Sequence, residues 1–225
     1  MPFWGIRAVY LCAMYRYFVH PPFWLSAFFP KRIWTIKTNS PTLYLTFDDG
    51  PHPDITPFVL AQLADYRAKA TFFCIGDRVE RYSSTYQLIL DQGHTVGNHT
   101  MHHLNGWQTN NSLYLQDIAK ASAVIDSPLF RPPYGKMAFV QARGLPAALQ
   151  KPNSKIVMWD ILSADFDTRL KGEDCFAICK KYLQPGSIIV MHDSEKAWPR
   201  LSYLLPKLLA YASKEGFTFA SIPVN

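Results

Sequence analysis

The feature that most constrains this chain is a rhythm. Seven apolar, β-rich runs, at residues 43–47, 70–75, 94–97, 128–130, 155–161, 187–191 and 218–222, recur with amphipathic helical stretches between most of them. Strands that alternate with helices pair in parallel through right-handed crossovers, and runs this apolar need cover on both faces. The pattern predicts an α/β domain closed as a barrel of about seven strands. An open doubly wound sheet is the alternative, but that fold usually carries a glycine-rich phosphate loop, and no strand-to-helix turn here has one. At 225 residues and 48% hydrophobic, the chain can bury one sizeable core, and no linker or repeat divides it. Asp54 is the expected N-cap of a helix presenting Ile55, Phe58, Val59, Leu63 and Tyr66 on one face, and Gly93 the residue that closes a helix ending at Leu90.

Polar residues of chemical interest follow the ends of these runs: Asp48 and Asp49, His99, Arg131 and Tyr134, Asp165, and His192. In parallel barrels the active site lies at the carboxyl ends of the strands, so these scattered positions become one candidate site. In Thr46-Phe47-Asp48-Asp49-Gly50-Pro51 two carboxylates end an apolar strand. Side chains alternate along a strand, so both can reach the mouth only because a turn follows. Taken alone, the motif reads better as a pair of turn-forming, capping aspartates. His99 and His103 stand at i and i+4, which on a helical turn places both imidazoles on one face, with His102 directed elsewhere. Two nitrogens and the Asp49 oxygen, with a fourth position open, are the donor set of a catalytic rather than a structural zinc site. Asp48 is then placed to act as base, and His192 as the acid for a leaving amine; a core histidine or a third nitrogen ligand are the other readings of His192.

Before residue 41 the chain changes character. Phe3, Trp4, Tyr10, Tyr15, Tyr17, Phe18, Phe23, Trp24, Phe28, Phe29 and Trp34 crowd together with Arg7, Arg16, Lys31 and Arg32. No uninterrupted apolar run is long enough to span a bilayer, and the short run at 8–15 lacks the cleavage pattern of an export signal. A cytoplasmic or membrane-associated location is therefore favoured over secretion. The aromatic segment, residues 1–40, is expected either to pack as a collar on the barrel or to rest on a membrane interface. The net charge of +6 comes from scattered rather than striped cations, which argues against a nucleic-acid partner. Cys12, Cys74, Cys175 and Cys179 form no zinc framework, and the 175/179 spacing is that of one helix face, so all four are expected reduced.

In order and spacing, residues 41–222 resemble the polysaccharide deacetylases of carbohydrate esterase family 4, the NodB homology domain, whose fold is a distorted (β/α)7 barrel. Thr46 to Pro51 resembles the family's TFDDGP segment, in which the first aspartate is base and the second binds metal. His99-Thr100-x-x-His103 is similar to its metal motif, with Leu104 where a proline often follows. Arg131-Pro132-Pro133-Tyr134-Gly135 resembles the segment whose arginine holds the catalytic aspartate and whose tyrosine N–H helps to form the oxyanion hole. Asp165-Phe166 stands where the family has Asp-Trp, and Val190-x-His192 where it has Leu-x-His.

The resemblance implies a domain at 41–225 that removes acetyl groups from N-acetylglucosamine units of a glycan or oligosaccharide, using a divalent ion, zinc by its donor set. It makes Asp165 the partner of either His192 or Arg131. Trp107 and Phe166, near the motifs, are candidates to stack on sugar rings, as is Trp159, for which ordinary barrel packing is at least as good a reading. A same-fold amidase acting on a small non-sugar amide or imide is the main rival, and a non-catalytic glycan-binding domain the lesser one.

Overall fold

The computed structural model describes residues 17–224. Its strands are β1 (Arg32–Ile33), β2 (Thr42–Asp48), β3 (Thr71–Cys74), β4 (Thr95–Asn98), β5 (Leu129–Phe130), β6 (Lys155–Val157), β7 (Ile161–Leu162), β8 (Ile188–His192) and β9 (Thr218–Phe219). Its helices are α1 (Phe23–Phe28), α2 (Ile55–Asp65), α3 (Gly76–Arg81), α4 (Ser83–Asp91), α5 (Asn111–Ser122), α6 (Phe139–Leu149), α7 (Gly172–Tyr182) and α8 (Trp198–Lys214). The strands run in the order β1-β6-β5-β4-β3-β2-β8-β7, with β9 added to the start of β2, and every pairing among these strands is parallel. The chain is one domain with the curled parallel sheet of a distorted barrel.

Side-chain alternation divides the core in two. From β2, Leu43, Leu45 and Phe47 point outward into a cluster with Ile55, Val59, Leu63, Leu204, Leu205 and Leu208 beneath helices α2 and α8. Tyr44 points inward and meets Phe73, Leu129, Val157 and Ile188. All seven residues of β2 are buried, which is what a strand covered on both sides requires. β8 follows the same parity, with Ile189 and Met191 outward and Ile188 inward. The even-numbered residues of β2 and β8 thus line the barrel, and the inner rows end in Asp48 and His192.

Three differences from the expected elements have physical causes. The run 155–161 divides into β6 and β7. Between them Met158 N–H donates to Ile33 O at 2.7 Å, and buried Asp160 accepts from Ser187 Oγ at 2.6 Å and Gln184 Nε2 at 3.2 Å, so the chain crosses from one sheet edge to the other. Second, Asp54 makes no side-chain cap on α2. His52 Nδ1 accepts from the N–H groups of Asp54 and Ile55 at 3.2 and 3.3 Å, while His52 N–H donates to Thr56 Oγ1, so the histidine satisfies the free donors of the first turn. Third, the N-terminal aromatic segment is partly woven into the sheet, which β1 enters beside β6.

The described part of that segment closes the seam between the two sheet edges. Leu162 N–H donates to Val19 O at 2.8 Å, Ile36 N–H to Gly186 O at 2.9 Å, and Thr35 bridges Ser187. His20 stacks on Tyr182 with centroids 4.6 Å apart, and Val19 is buried against Ala164 and Ile178. Cys74, Cys175 and Cys179 are buried free thiols; Cys12 lies outside the described residues. None of the described helices is long and apolar enough to cross a membrane.

Candidate active site

Parity puts Asp48 inside the barrel, and the next residue would by the same rule point out. The backbone reverses instead: Asp49 takes φ of 77°, a left-handed conformation, and the turn brings its carboxylate to the mouth beside the loop that follows β4. Gly50 is required here, because a Cβ at that position would lie 2.1 Å from the buried Asp193 carboxylate. The strand ends are laced together: Ile75 N–H donates to Gly50 O, His99 N–H to Cys74 O, Gly76 N–H to Thr100 O, and Asp193 N–H to Asp48 O.

His99 and His103 do meet, though on no helical turn. Residues 99–103 form an irregular loop with Thr100 and His103 at φ of 65° and 57°. Buried Asp117 on α5 holds this loop, its Oδ2 accepting from the N–H groups of Met101 and His102 at 3.0 Å each, and Asn98 Oδ1 accepts from Thr100 N–H at 2.8 Å. His102 turns away to Asp117 Oδ1 at 2.5 Å. His99 is oriented by its Nδ1–H, which donates to Arg131 O at 2.7 Å and so leaves Nε2 with a lone pair toward Asp49.

The result is a convergence of three donors. His99 Nε2 lies 3.7 Å and His103 Nε2 3.2 Å from Asp49 Oδ1, and one ligand atom from each residue fits within 4.8 Å of the others. Asp49 Oδ1 is buried without a hydrogen-bond partner, despite the nearness of His103. A buried carboxylate oxygen left unpaired is costly, and a cation among these donors would satisfy it. Electrostatics agree with that donor chemistry. Burial lowers the His99 pKa to about 4, keeping the ring neutral. Burial opposes the Asp49 charge, yet His103, His192 and His99 hold its carboxyl below the usual range. Asp49, His99 and His103 therefore fit a divalent ion.

Asp48 and Arg131 form the centre's second unit. Arg131, fully buried at 0% exposure, donates from Nη1 to Asp48 Oδ1 at 2.6 Å and to Thr46 Oγ1 at 2.7 Å. Its Nη2 donates to Met158 O at 2.9 Å, and its guanidinium lies 4.1 Å from the centroid of the Phe73 ring. Asp48 faces His192 directly across the β2–β8 ladder. Asp165 pairs with His192 rather than Arg131: its Oδ1 meets His192 Nδ1 at 2.7 Å, and its Oδ2 accepts from His192 N–H at 2.8 Å. Burial works against a charged His192, but the Asp165 carboxylate, with smaller contributions from Asp49 and Asp48, raises its pKa to about 9. Arg200 holds Asp165 in turn, donating from Nε to its carbonyl at 2.6 Å.

The remaining candidates line the rim. Tyr134 sits in a 3-10 turn at φ of 59°, its ring 4.7 Å from that of His103. Phe166 stands edge-on to His192 at 5.2 Å. Trp107 is 68% exposed on the loop beyond His103, with Lys136 Nζ 5.4 Å from its ring. Trp159 is half-buried, its ring backing Gly135, where a Cβ would come within 2.6 Å. Sequence reasoning missed Asp117, Asp193, Thr46 and Arg200. Asp117 carried a usable signal, a charge at the i+3 position of the buried face Tyr114, Ile118 and Ala121. Thr46 opens the quoted Thr46–Pro51 segment but was given no role there, while Asp193 after a strand end and Arg200 on α8 carried no signal that sets them apart.

The sequence profile of the polysaccharide deacetylase family matches residues 35–143. A peptidoglycan-N-acetylglucosamine deacetylase of Bacillus cereus is 31% identical over 195 residues, spanning 84% of this chain and 90% of that protein. A chitooligosaccharide deacetylase of Azorhizobium caulinodans is 31% identical over 165 residues, spanning 70% and 76%. Among solved structures, a peptidoglycan N-acetylglucosamine deacetylase in complex with 4-naphthalen-1-yl-N-oxidanyl-benzamide superposes with a TM-score of 0.79 at 27% identity, covering 90% of this chain and 95% of that one.

Proposed function

Because the chain belongs to the polysaccharide deacetylase family, we propose that this hydrolase removes the acetyl group from N-acetylglucosamine units of a peptidoglycan-like or chitooligosaccharide glycan, with Asp48 as base and His192 as acid. The observation that carries this reading is the opposed pair on one ladder: Asp48, gripped by Arg131, faces His192, gripped by Asp165, beside three converging donor atoms. Amide hydrolysis needs these two roles held apart, one group to take a proton from water and one to give a proton to the amine.

Asp49, His99 and His103 would hold the divalent ion, zinc by its two-nitrogen, one-oxygen donor set. When bound, that ion supplies Lewis-acid polarisation and lowers the pKa of water toward about 7. Asp48 accepts the proton of the attacking water, its carboxylate aimed by Arg131. The Tyr134 N–H donates to the oxyanion; its neighbours Gly135 and Lys136 spend theirs on Pro132 and Pro133 carbonyls. Loss of such a donor typically costs about 100- to 1000-fold in rate. His192 then gives a proton from Nε2 to the departing amine, because Nδ1 is committed to Asp165. Phe166 and Trp107 are the rings that would stack on the sugar.

The deciding assay is acetate release from N-acetylated chitooligosaccharides and peptidoglycan fragments, before chelation, after it, and after adding back zinc. Release should stop with chelator and return with zinc. Release indifferent to chelator would remove the metal from the mechanism, and hydrolysis of small imides without any acetate from sugars would favour the amidase reading.

Asp165→Asn gives a pH test. The Asp165 carboxylate raises the folded His192 pKa from 6.5 to about 9. That contact adds stability fully present below the unfolded value near 6.5, and lost as pH rises through about 9. In the asparagine variant the alkaline limb of kcat/KM should move to lower pH, and the loss of stability relative to wild type should be larger at pH 6 than at pH 10. An unmoved alkaline limb would mean that His192 is not the acid.

A further inference from the structure

The described N-terminal segment leaves aromatic rings in solvent. Phe28 is 72% exposed, Trp24 45% and Phe18 40%, and the three stand in edge contact, Phe18 with Trp24 at 6.4 Å and Trp24 with Phe28 at 6.3 Å. Next in the chain, Phe29 stacks at 5.7 Å on Phe139, itself 69% exposed beside Val140 at 57%. Isolated exposed apolar residues are ordinary, but a contiguous aromatic ridge marks a surface meant to be covered.

Charge indicates the cover. No Asp or Glu occurs before Asp48, whereas Arg7, Arg16, Lys31, Arg32 and Lys37 do. Lys31 and Lys37 are exposed, and the Arg32 guanidinium lies 4.2 Å from the Phe29 ring centroid. Rings that sink into the headgroup layer, carried on a stretch with cations and without an Asp or Glu of its own, suit an anionic bilayer better than an apolar protein face. The ridge also borders the mouth of the candidate site. Tyr17, which precedes Phe18, contacts Phe166 at 5.0 Å, and Phe166 contacts His192 at 5.2 Å. Phe139 opens α6 shortly after the turn that holds Tyr134.

We propose that the surface formed by Phe18, Trp24, Phe28, Phe29, Phe139 and Val140, with Lys31 and Lys37 beside it, docks on the headgroup layer of an anionic membrane. Docking turns the mouth of the site toward the lipid, where a saccharide held at the membrane would meet it.

The test uses the full chain, chelated and without substrate, so that its outcome does not depend on the deacetylase reading. Co-sedimentation is measured with phosphatidylcholine vesicles and with vesicles containing phosphatidylglycerol. The wild type should bind the anionic vesicles, and more weakly as salt rises. The double variant Trp24→Ser/Phe28→Ser should bind them at least about tenfold less tightly, a loss of 1.4 kcal/mol or more. Lys31→Glu/Lys37→Glu should lose the preference for anionic lipid. Each variant should keep the wild-type circular dichroism spectrum and its activity on soluble oligosaccharide, because none of these residues belongs to the site. No binding by the wild type, or equal binding by the aromatic double variant, overturns the proposal. So does a dimer in solution that the same substitutions dissociate, since a second copy would then be the occupant.

Discussion

Asp48→Asn should lower acetate release by about 100- to 10,000-fold while the protein still binds one metal ion per chain. Asparagine keeps the oxygen that accepts from Arg131 Nη1 at 2.6 Å, so the side chain stays in place, but it cannot take a proton from water. The substitution also leaves the Arg131 guanidinium, fully buried, without its counter-charge. Losing one member of a buried ion pair can cost about 3–5 kcal/mol, and the retained hydrogen bond should keep the loss below that range. Turnover, zinc content and melting temperature measured on the same preparation separate these effects. Normal turnover in a folded, metal-loaded variant would show that the base lies elsewhere.

The second large effect belongs to His99→Ala, in which metal and activity should disappear together. His99 presents Nε2 to Asp49 because its Nδ1–H is tied to the Arg131 carbonyl. Disturbing the support of a ligand typically costs about 10- to 100-fold in metal affinity, and deleting the ligand should cost more. Zinc content after dialysis, and turnover with excess zinc restored, are the measurements. Wild-type zinc content in this variant would exclude His99 as a ligand. A His102→Ala control should retain metal, since that ring is paired with Asp117 instead.

The positions of these residues were legible in the sequence to different depths. Strand positions were readable because the runs in β2 and β8 are mostly apolar and stop abruptly at a charged or titratable residue. Parity then fixed which way Asp48 and His192 face. The histidine loop was legible in composition but not in shape. The i, i+4 spacing suggested a helical turn, whereas the geometry comes from Asp117, a residue on a different element that ties down two backbone amides. The choice of partner for Asp165 was equally closed to sequence, because both His192 and Arg131 follow strand ends. Only the distances separate them. Least legible of all was β1: two residues inside an aromatic stretch carry no strand period, and their place depends on a sheet edge supplied by β6.

The pairing of β2 bears on how the chain is made. Its partners on one side are β3, which follows within the next stretch of sequence, and β9 at its start, but β8, which covers its other side, lies near the opposite end of the chain. A ribosome therefore releases a strand destined for complete burial long before the residues that complete its ladder exist. Until then β2 offers bare amides and carbonyls along one border, the form most inclined to pair with a neighbouring nascent chain. Fragments ending before Ile188 should collect in the insoluble fraction. Synthesis rate and chaperone supply, rather than the stability of the finished barrel, should set how much soluble enzyme a cell obtains.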